Sequence, residues 1–482
     1  MRKSLQGENM AEAPLWTGKD VIAAVAGKAD RADWSANNVS IDSRSIEPGD
    51  LFIAIVGPVH DGHEFAADAA RKGAAALILS RRPEDLPEGA VVIVVEDTQK
   101  ALEDLGRAAR ARTGAQIVAV TGSVGKTGSK EALLHILSTQ GKTHASIGSF
   151  NNHWGVPLSL ARMPADCQFA IFELGMNHPG ELAPLSRMVK PHVVLITTVE
   201  TVHLEHFPDV EAIAHAKAEI FEGLSATGSV VLNSDNDYGG LLKSLAANRG
   251  ITQIVMFGEK SDAGIRLTDY TLYPDHSDVA VKIDSGDIFF RLGAPGRHLI
   301  SNMLGVLGVV GEFGIDLGAA ARALADLQPP KGRGERHRVA CADGHYLVID
   351  ESYNASPVSI RAALSVLRNI QPEGKGRRIA VLGDMLELGP RAAEIHQSLK
   401  GDVLAASVDL LFTCGPHMEH LSKSMPIYIR THHRATSDLL VDPLLEAVGP
   451  DDVILVKGSF GSRMSVPLNA LLRGGADAQG EN

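Results

Sequence analysis

Residues 116–127 read Gln-Ile-Val-Ala-Val-Thr-Gly-Ser-Val-Gly-Lys-Thr. Ile117–Val120 is a short apolar run rich in β-branched residues, which predicts a buried strand. The next residues, Thr121-Gly122-Ser123-Val124-Gly125-Lys126-Thr127, predict a tight turn, and the run after them, with Leu133, Leu134, Ile136 and Leu137, predicts a helix with an apolar face. A glycine-rich turn between strand and helix aims backbone N–H groups at one point, and the helix N-terminus adds its positive dipole end. Phosphate is the natural ligand. Lys126 is placed to neutralise β/γ-phosphate charge, and the Thr127 hydroxyl to hold Mg²⁺. The common Walker A spacing requires glycine five residues before Gly125, where Val120 stands, so this is the shorter TGSxGKT form. Gly128 follows in the first helical turn, where glycine costs on the order of 1 kcal/mol relative to alanine.

Outward from this loop, strand-like and helical segments alternate along the chain. Leu51–Val56, Ala76–Leu79 and Val91–Val95 predict strands of a small α/β unit, with a helical stretch at His63–Lys72. Phe169–Phe172 and Val193–Thr197 predict further buried strands after the phosphate loop. Gln328-Pro-Pro-Lys-Gly-Arg-Gly-Glu-Arg336 is rich in Pro and Gly and predicts a linker. Beyond it, Tyr346–Ile349, Ile379–Leu382, Leu410–Phe412 and Val453–Val456 again alternate with helical stretches, which suggests a Rossmann-like sheet. The fold expected is α/β in three domains, 1–112, 113–330 and 331–482. The first is small, the second a P-loop domain with a mostly parallel sheet, and the third Rossmann-like.

Bulk composition narrows the function. The chain has 482 residues, 44% hydrophobic and 22% charged, with a net charge of -12. That balance disfavours nucleic acid as a partner. Cys167, Cys341 and Cys414 stand far apart, with no metal-ligand spacing, which fits a reducing cytoplasm. The first residues have no apolar core, so no secretory signal is expected, and Leu299–Val310 is too short to span a bilayer. A monomer without membrane insertion is expected. No NKxD sequence for reading a guanine base is evident.

One lysine stands out. On a helix expected over about residues 210–224, Ile213, Lys217, Ile220, Phe221 and Leu224 form one stripe, opposite Glu211, His215 and Glu222. A lysine in an apolar stripe finds a counter-charge, loses its proton, or snorkels outward. A neutral amine also reacts with CO₂ to give a carbamate, an anion able to bind Mg²⁺. The residues alone leave these alternatives open. Glu173 and His203 each follow a predicted strand, where side chains converge on a ligand crevice.

Taken together, these motifs resemble the Mur ligase family over nearly the whole chain. Thr121–Thr127 is similar to its ATP loop, Asn151-Asn152 with Gly155-Val156-Pro157-Leu158 to the motif that follows, and Glu173–Asn177 to its metal-binding glutamate segment. His203-Leu204-Glu205 resembles its metal-binding histidine segment, and Lys217-Ala218-Glu219 its carbamylated-lysine segment. Gly296-Arg297-His298 with Asn302 resembles the segment beside adenine, and Arg333 the arginine entering from the hinge. Ser301 separates His298 from Asn302, and Gly128 stands where the family has Thr. The Asp42-Ser43-Arg44 and Asp61-Gly62-His63 segments resemble a UDP-binding domain. Asp350–Pro357, Val381–Gly389 and Val456–Ser459 resemble the branch that adds a dipeptide, and the DNPR-type sequence of the branch adding a diamino acid or lysine is absent.

This resemblance implies ATP-dependent ligation of D-alanyl-D-alanine to UDP-N-acetylmuramoyl-tripeptide through an acyl phosphate, in peptidoglycan precursor synthesis. The catalytic set implied is Lys126, Lys217, Glu173, His203 and Arg333. ATP would meet Gly122, Ser123, Val124, Gly125, Lys126, Thr127, Asn302, Arg333 and Asp350. Ser43, Arg44, Asp61, Gly62, His63, Asn151, Asn152, Tyr353 and Asn354 would bind the other substrates. Two Mg²⁺ sites would draw on Thr127, Glu173, His203 and carbamylated Lys217. Closure about the linker near Lys331–Gly334 is expected, since an acyl phosphate must be kept from water. Whether the tripeptide ends in meso-diaminopimelate or lysine is left open.

Overall fold

In the computed structural model, which describes residues 13–202 and 205–477, the chain forms two compact units. The first comprises residues 13–117, 141–172 and 187–190, and the second the rest of the described residues.

The first unit holds a five-stranded sheet in the order Lys28–Ala29, Val92–Val94, Ala76–Leu79, Asp50–Ile53, Asn38–Ser40. All pairs are parallel except the first. Parallel strands covered on both faces read as continuous apolar runs, and Ala76–Leu79 is buried at every position. The helix Thr98–Ala111 turns Ala101, Leu102, Leu105 and Ala109 into the same core as Leu51, Ile53 and Ile78. Leu158 and Ala161 of the helix Gly155–Ala161 join that core. Trp16 anchors this corner: its indole N–H donates to Ala161 O at 2.8 Å, and the Arg112 guanidinium lies 3.6 Å above its ring. The helix expected over His63–Lys72 divides into a 3₁₀ turn, Gly62–Phe65, and an α-helix, Ala66–Arg71, because the Asp61 carboxylate takes the His63 N–H and tightens the first turn.

In the second unit the strand Gln116–Thr121 pairs in parallel, from Val118 onward, with Val193–Ile196. Ser229–Asn233, Gln253–Gly258 and Ile265–Leu272 follow, each parallel to the last. Two antiparallel strands, Ser277–Ile283 and Gly286–Leu292, then extend the sheet. The apolar stretch Leu299–Val310 lies in the helix Arg297–Glu312, with Met303, Leu304, Val306 and Leu307 buried. Gly305 lets this helix close on the sheet, for a Cβ there would lie 3.0 Å from the Leu195 side chain and 3.1 Å from the Phe257 ring.

The same unit carries a six-stranded sheet in the order Glu335–Cys341, Gly344–Glu351, Val453–Lys457, Arg378–Gly383, Leu410–Cys414, Arg430–Arg434. Only Glu335–Cys341 is antiparallel to its neighbour. The helix Pro357–Asn369 opens with a capping box between Ser356 and Ser359 and with proline at its start. No helix among the described residues is long and apolar enough to cross a membrane.

Candidate active site

The phosphate loop forms where the sequence places it. Thr121 ends its strand, and the helix runs Lys126–Ser138. Two glycines make the turn achievable. Gly122 has φ +148° and Gly125 φ +87°, regions that side chains rarely enter. A Cβ on Gly122 would sit 1.9 Å from Thr197 Oγ1, and one on Gly125 would sit 2.5 Å from Asn302 Oδ1. Asn302 therefore lies against the loop. Thr197 secures it, donating from its hydroxyl to Val124 O at 2.6 Å, and the Ser123 N–H donates to Thr198 O at 2.9 Å. Sequence reading passed over Thr197 and Thr198, although their place at a strand's carboxyl end was the available signal.

Lys126 bends back over the loop and donates to Gly122 O at 2.7 Å. Thr127, 6% exposed, donates its hydroxyl to Glu173 Oε2 at 2.8 Å, and Glu173 is itself 1% exposed. Glu173 is held here because the Leu174 N–H donates to Val120 O at 2.8 Å and the Thr121 hydroxyl to Leu174 O at 2.8 Å. A hydroxyl and a carboxylate, both buried, form an oxygen donor pair suited to a hard divalent cation. Lys130, one turn along the same helix, is fully buried with its Nζ 2.8 Å from Glu131 Oε1. The sequence reading missed it, because a lysine near a helix start ordinarily faces solvent.

Lys217 is 2% exposed. It lies on the helix Val210–Ala218 with Ile213 and, on the following 3₁₀ turn Glu219–Gly223, Ile220 and Phe221 also buried. The α-helix stops at Ala218 rather than near Leu224. The Ser186 hydroxyl donates to Ile220 O and accepts from the Gly223 N–H, which draws the last residues into a tighter turn. Glu211 and His215 face solvent as the periodicity implied. Burial holds the Lys217 amine well below its ordinary range, and repulsion from Lys126 adds to this. The Lys126 amine is lowered by burial too; Glu173 raises it and Arg333 lowers it further.

Arg333 thus reaches the loop electrostatically from the linker. Its guanidinium also stacks 4.3 Å from the centre of the Tyr353 ring, and the Tyr353 N–H donates to Gly332 O at 3.2 Å. Asp350 is 2% exposed and accepts from the Ser352 N–H at 2.9 Å. Its neighbour Glu351 accepts from Lys457 Nζ at 2.9 Å, and Lys457 also donates to Asn354 O at 3.0 Å. Burial lowers the His298 imidazole; Glu351 raises it and Lys457 lowers it further, so these three groups lie near one another. Lys126, Thr127, Glu173, Lys217, Asn302, Arg333 and Tyr353 form one neighbourhood around the phosphate loop. His203 lies outside the described residues.

The remaining candidates belong to the first unit. Asp61 accepts from the His63 N–H at 3.0 Å, from the His63 ring at 2.6 Å and from Arg81. His63 Nε2 accepts from the Ser80 N–H at 2.9 Å, so its proton sits on Nδ1. Burial works to raise the Asp61 carboxyl, but these donors outweigh it and hold the group far below the carboxylate range. Gly62 lies between Asp61 and His63 in this turn. Ser43 is buried, with Lys72 Nζ donating to its carbonyl at 2.8 Å. Arg44 is exposed and paired with Asp42 at 2.7 Å. Asn152 accepts from the Trp154 and Gly155 N–H groups at 3.2 and 2.9 Å, which makes it a helix-opening turn, beside Asn151. Ser80, Arg81 and Lys72 were not singled out from sequence, since nothing local marks them.

Models of three domains match this chain: "Mur ligase family, catalytic domain" over residues 35–110, "Mur ligase middle domain" over 120–310, and "Mur ligase, glutamate ligase domain" over 332–460. The chain is 33% identical to the UDP-N-acetylmuramoyl-tripeptide--D-alanyl-D-alanine ligase of Rickettsia prowazekii, over 93% of this chain and 98% of that protein. It is also 33% identical to the protein of the same name from Escherichia coli, over 93% and 96%. A crystal structure of MurF from Acinetobacter baumannii superposes with a TM-score of 0.82 at 29% identity, covering 95% of this chain and 99% of that one. MurF ligase from Thermotoga maritima in complex with ADP superposes with a TM-score of 0.74 at 25% identity, covering 91% and 98%.

Proposed function

The chain belongs to the Mur ligase family, and from that premise we propose that it joins D-alanyl-D-alanine to UDP-N-acetylmuramoyl-tripeptide with cleavage of ATP to ADP and phosphate. The observation that carries the reading is the pair of amines beside the loop, Lys217 buried and Lys126 half-buried. Lys126 lies near enough to Lys217 to help depress its amine, next to the Thr127–Glu173 donor pair. Such a pocket is built for several anions at once. The names and the high coverage of the relatives support the substrate pair.

The residues present fit the nucleotide and its metal. Gly122 and Gly125 let the loop turn tightly against Thr197 and Asn302, and Thr127 with Glu173 would hold Mg²⁺. When bound, the ion supplies charge neutralisation on phosphoryl oxygens. Lys126 and the loop N–H groups orient the phosphates, and Arg333 brings a further positive charge from the linker. The terminal carboxylate of the tripeptide attacks the γ-phosphorus, and ADP leaves. The dipeptide amine then attacks the acyl carbon, gives up a proton, and phosphate departs. We assign Lys217 a carbamate: a neutral buried amine is the reactive form toward CO₂, and the product is an anion suited to a second metal in company with His203. Asn302 and Asp350 are assigned to the nucleoside. Ser43, Arg44, Asp61, Gly62, His63, Asn151 and Asn152 are assigned to the UDP-linked substrate, and Tyr353 and Asn354 to the incoming dipeptide. Three unpaired cysteines suit a reducing cytoplasm.

The test is phosphate release from ATP by the purified chain. Release that needs both the tripeptide nucleotide and D-alanyl-D-alanine, with a product heavier by the dipeptide, is expected. Release with a diamino acid on the dipeptide precursor instead overturns the reading.

A further inference from the structure

The strand Gly286–Leu292 ends its sheet. Edge strands are usually blunted by charged side chains, lysine above all, by proline, by a bulge or by a covering segment, because a free row of N–H and C=O groups invites another strand; here the turn Leu324–Asp326 meets only the far end, where the Gly293 N–H donates to Leu324 O at 3.0 Å. This one, Gly-Asp-Ile-Phe-Phe-Arg-Leu, has neither Lys nor Pro. Its pairing with Ser277–Ile283 runs without a register shift from Ile283↔Gly286 to Ser277↔Leu292. Side chains alternate along it: Phe290 and Leu292 are buried, while Asp287, Phe289 and Arg291 face solvent. Phe289 is 75% exposed.

The cross-strand partners on the solvent face are Lys282 opposite Asp287, Ala280 opposite Phe289, and Asp278 opposite Arg291. Arg291 Nε donates to Asp278 Oδ1 at 3.1 Å. Phe289 is the midpoint of the strand. An antiparallel copy related by a two-fold axis at Phe289 would overlap the strand along its whole length. That register sets Asp287 against Arg291 of the second copy, Phe289 against Phe289, and Arg291 against Asp287. Across the four strands, one row then reads Lys282, Asp287, Arg291, Asp278, and its symmetry mate reads the reverse. Both rows alternate in sign, with the two phenylalanines between them. Opposite charges and aromatic pairs directly across an antiparallel ladder are favourable, and like charges there are not.

We propose that Gly286–Leu292 is a self-association edge, through which two copies of the chain pair antiparallel about Phe289. The contact is isologous, so it closes at two copies. It is small, and the dimer is weak and concentration-dependent. This departs from the monomer expected from sequence.

The experiment is sedimentation equilibrium of the full chain over a wide concentration range, for the wild type, Asp287→Arg, Arg291→Asp and the double variant. Circular dichroism confirms that each variant is folded. The wild type should move from the 51.1 kDa chain mass toward twice that value. Each single reversal sets two like-charge pairs across the two-fold and should weaken association about tenfold. The double variant restores opposite signs between copies but sets like charges against Lys282 and Asp278 of its own hairpin, so it should recover part of the loss. A wild type that stays monomeric throughout overturns the proposal. So does a dimer indifferent to the single reversals, or a double variant that associates more weakly than both of them.

Discussion

Replacing Lys217 by methionine should make this protein more stable and inactive. Lys217 is 2% exposed, and burial, with Lys126 adding to it, holds its amine far below the ordinary value of 10.5. In the unfolded chain at pH 7 the same amine is charged. A native amine left neutral then releases a proton on folding, at a cost of at most about 1.36 kcal/mol for each unit between pH 7 and 10.5, or about 5 kcal/mol. Methionine has similar length and no such cost, so Lys217→Met should gain about 2–5 kcal/mol at pH 7 in CO₂-depleted buffer. The sign of the pH dependence follows. The native group is depressed, so the wild type loses stability as pH falls below the unfolded value and regains it as pH rises toward 10.5. The advantage of methionine should therefore shrink by up to about 4 kcal/mol between pH 7 and 10. Denaturant unfolding at the two pH values measures it, followed by fluorescence and by circular dichroism to expose any separate transitions. Bicarbonate should stabilise the wild type alone. A methionine variant that is less stable at pH 7, or whose advantage does not change with pH, would refute the account of a neutral, isolated amine. Retained phosphate release in that variant would remove Lys217 from the mechanism.

Gly122→Ala places a Cβ 1.9 Å from Thr197 Oγ1 at φ +148°; it should cost about 3–5 kcal/mol and weaken ADP binding by calorimetry, and Thr197→Ala should return part of the stability. Gly128→Ala has the opposite sign: nothing stands within 4 Å of its Cβ position, so a gain of about 0.5–1 kcal/mol in denaturant midpoint is expected. His144 donates from Nε2 to Ser159 O at 2.8 Å, and burial holds its imidazole down to about 4. Since the native value lies below the unfolded value of 6.5, stability is full above pH 6.5 and falls by about 3 kcal/mol as pH drops toward 4. A His144→Gln variant should show a flatter acid limb in the same titration.

How much of this was legible in the sequence varied with the range of the interactions. Strands buried on both faces announced themselves, and Ala76–Leu79 spans the residues expected of it. The phosphate loop was equally plain, because the glycines, lysine and threonine act locally. The hairpin strands Ser277–Ile283 and Gly286–Leu292 were missed, because their buried residues alternate with less buried ones and form no continuous apolar run. Lys217 could be found from periodicity alone, but its proximity to Lys126 could not, for the two lie ninety-one residues apart and meet only through the sheet. The end of its helix depended on Ser186, a partner no local pattern reveals. Arg81 and Ser80 fix Asp61 and His63 from 20 and 17 residues away.

The arginine on the linker has a consequence for cooperativity. Arg333 packs on Tyr353 of the C-terminal sheet while its charge is felt at Lys126. The positive potential at the phosphate loop therefore depends on a residue anchored beside that sheet. Whatever draws the sheet toward the loop strengthens nucleotide affinity, and thermodynamic reciprocity requires the converse by the same factor. An acceptor amine docking on the C-terminal sheet and a nucleotide on the loop should then bind with positive coupling, each reporting the other's presence before any bond is made.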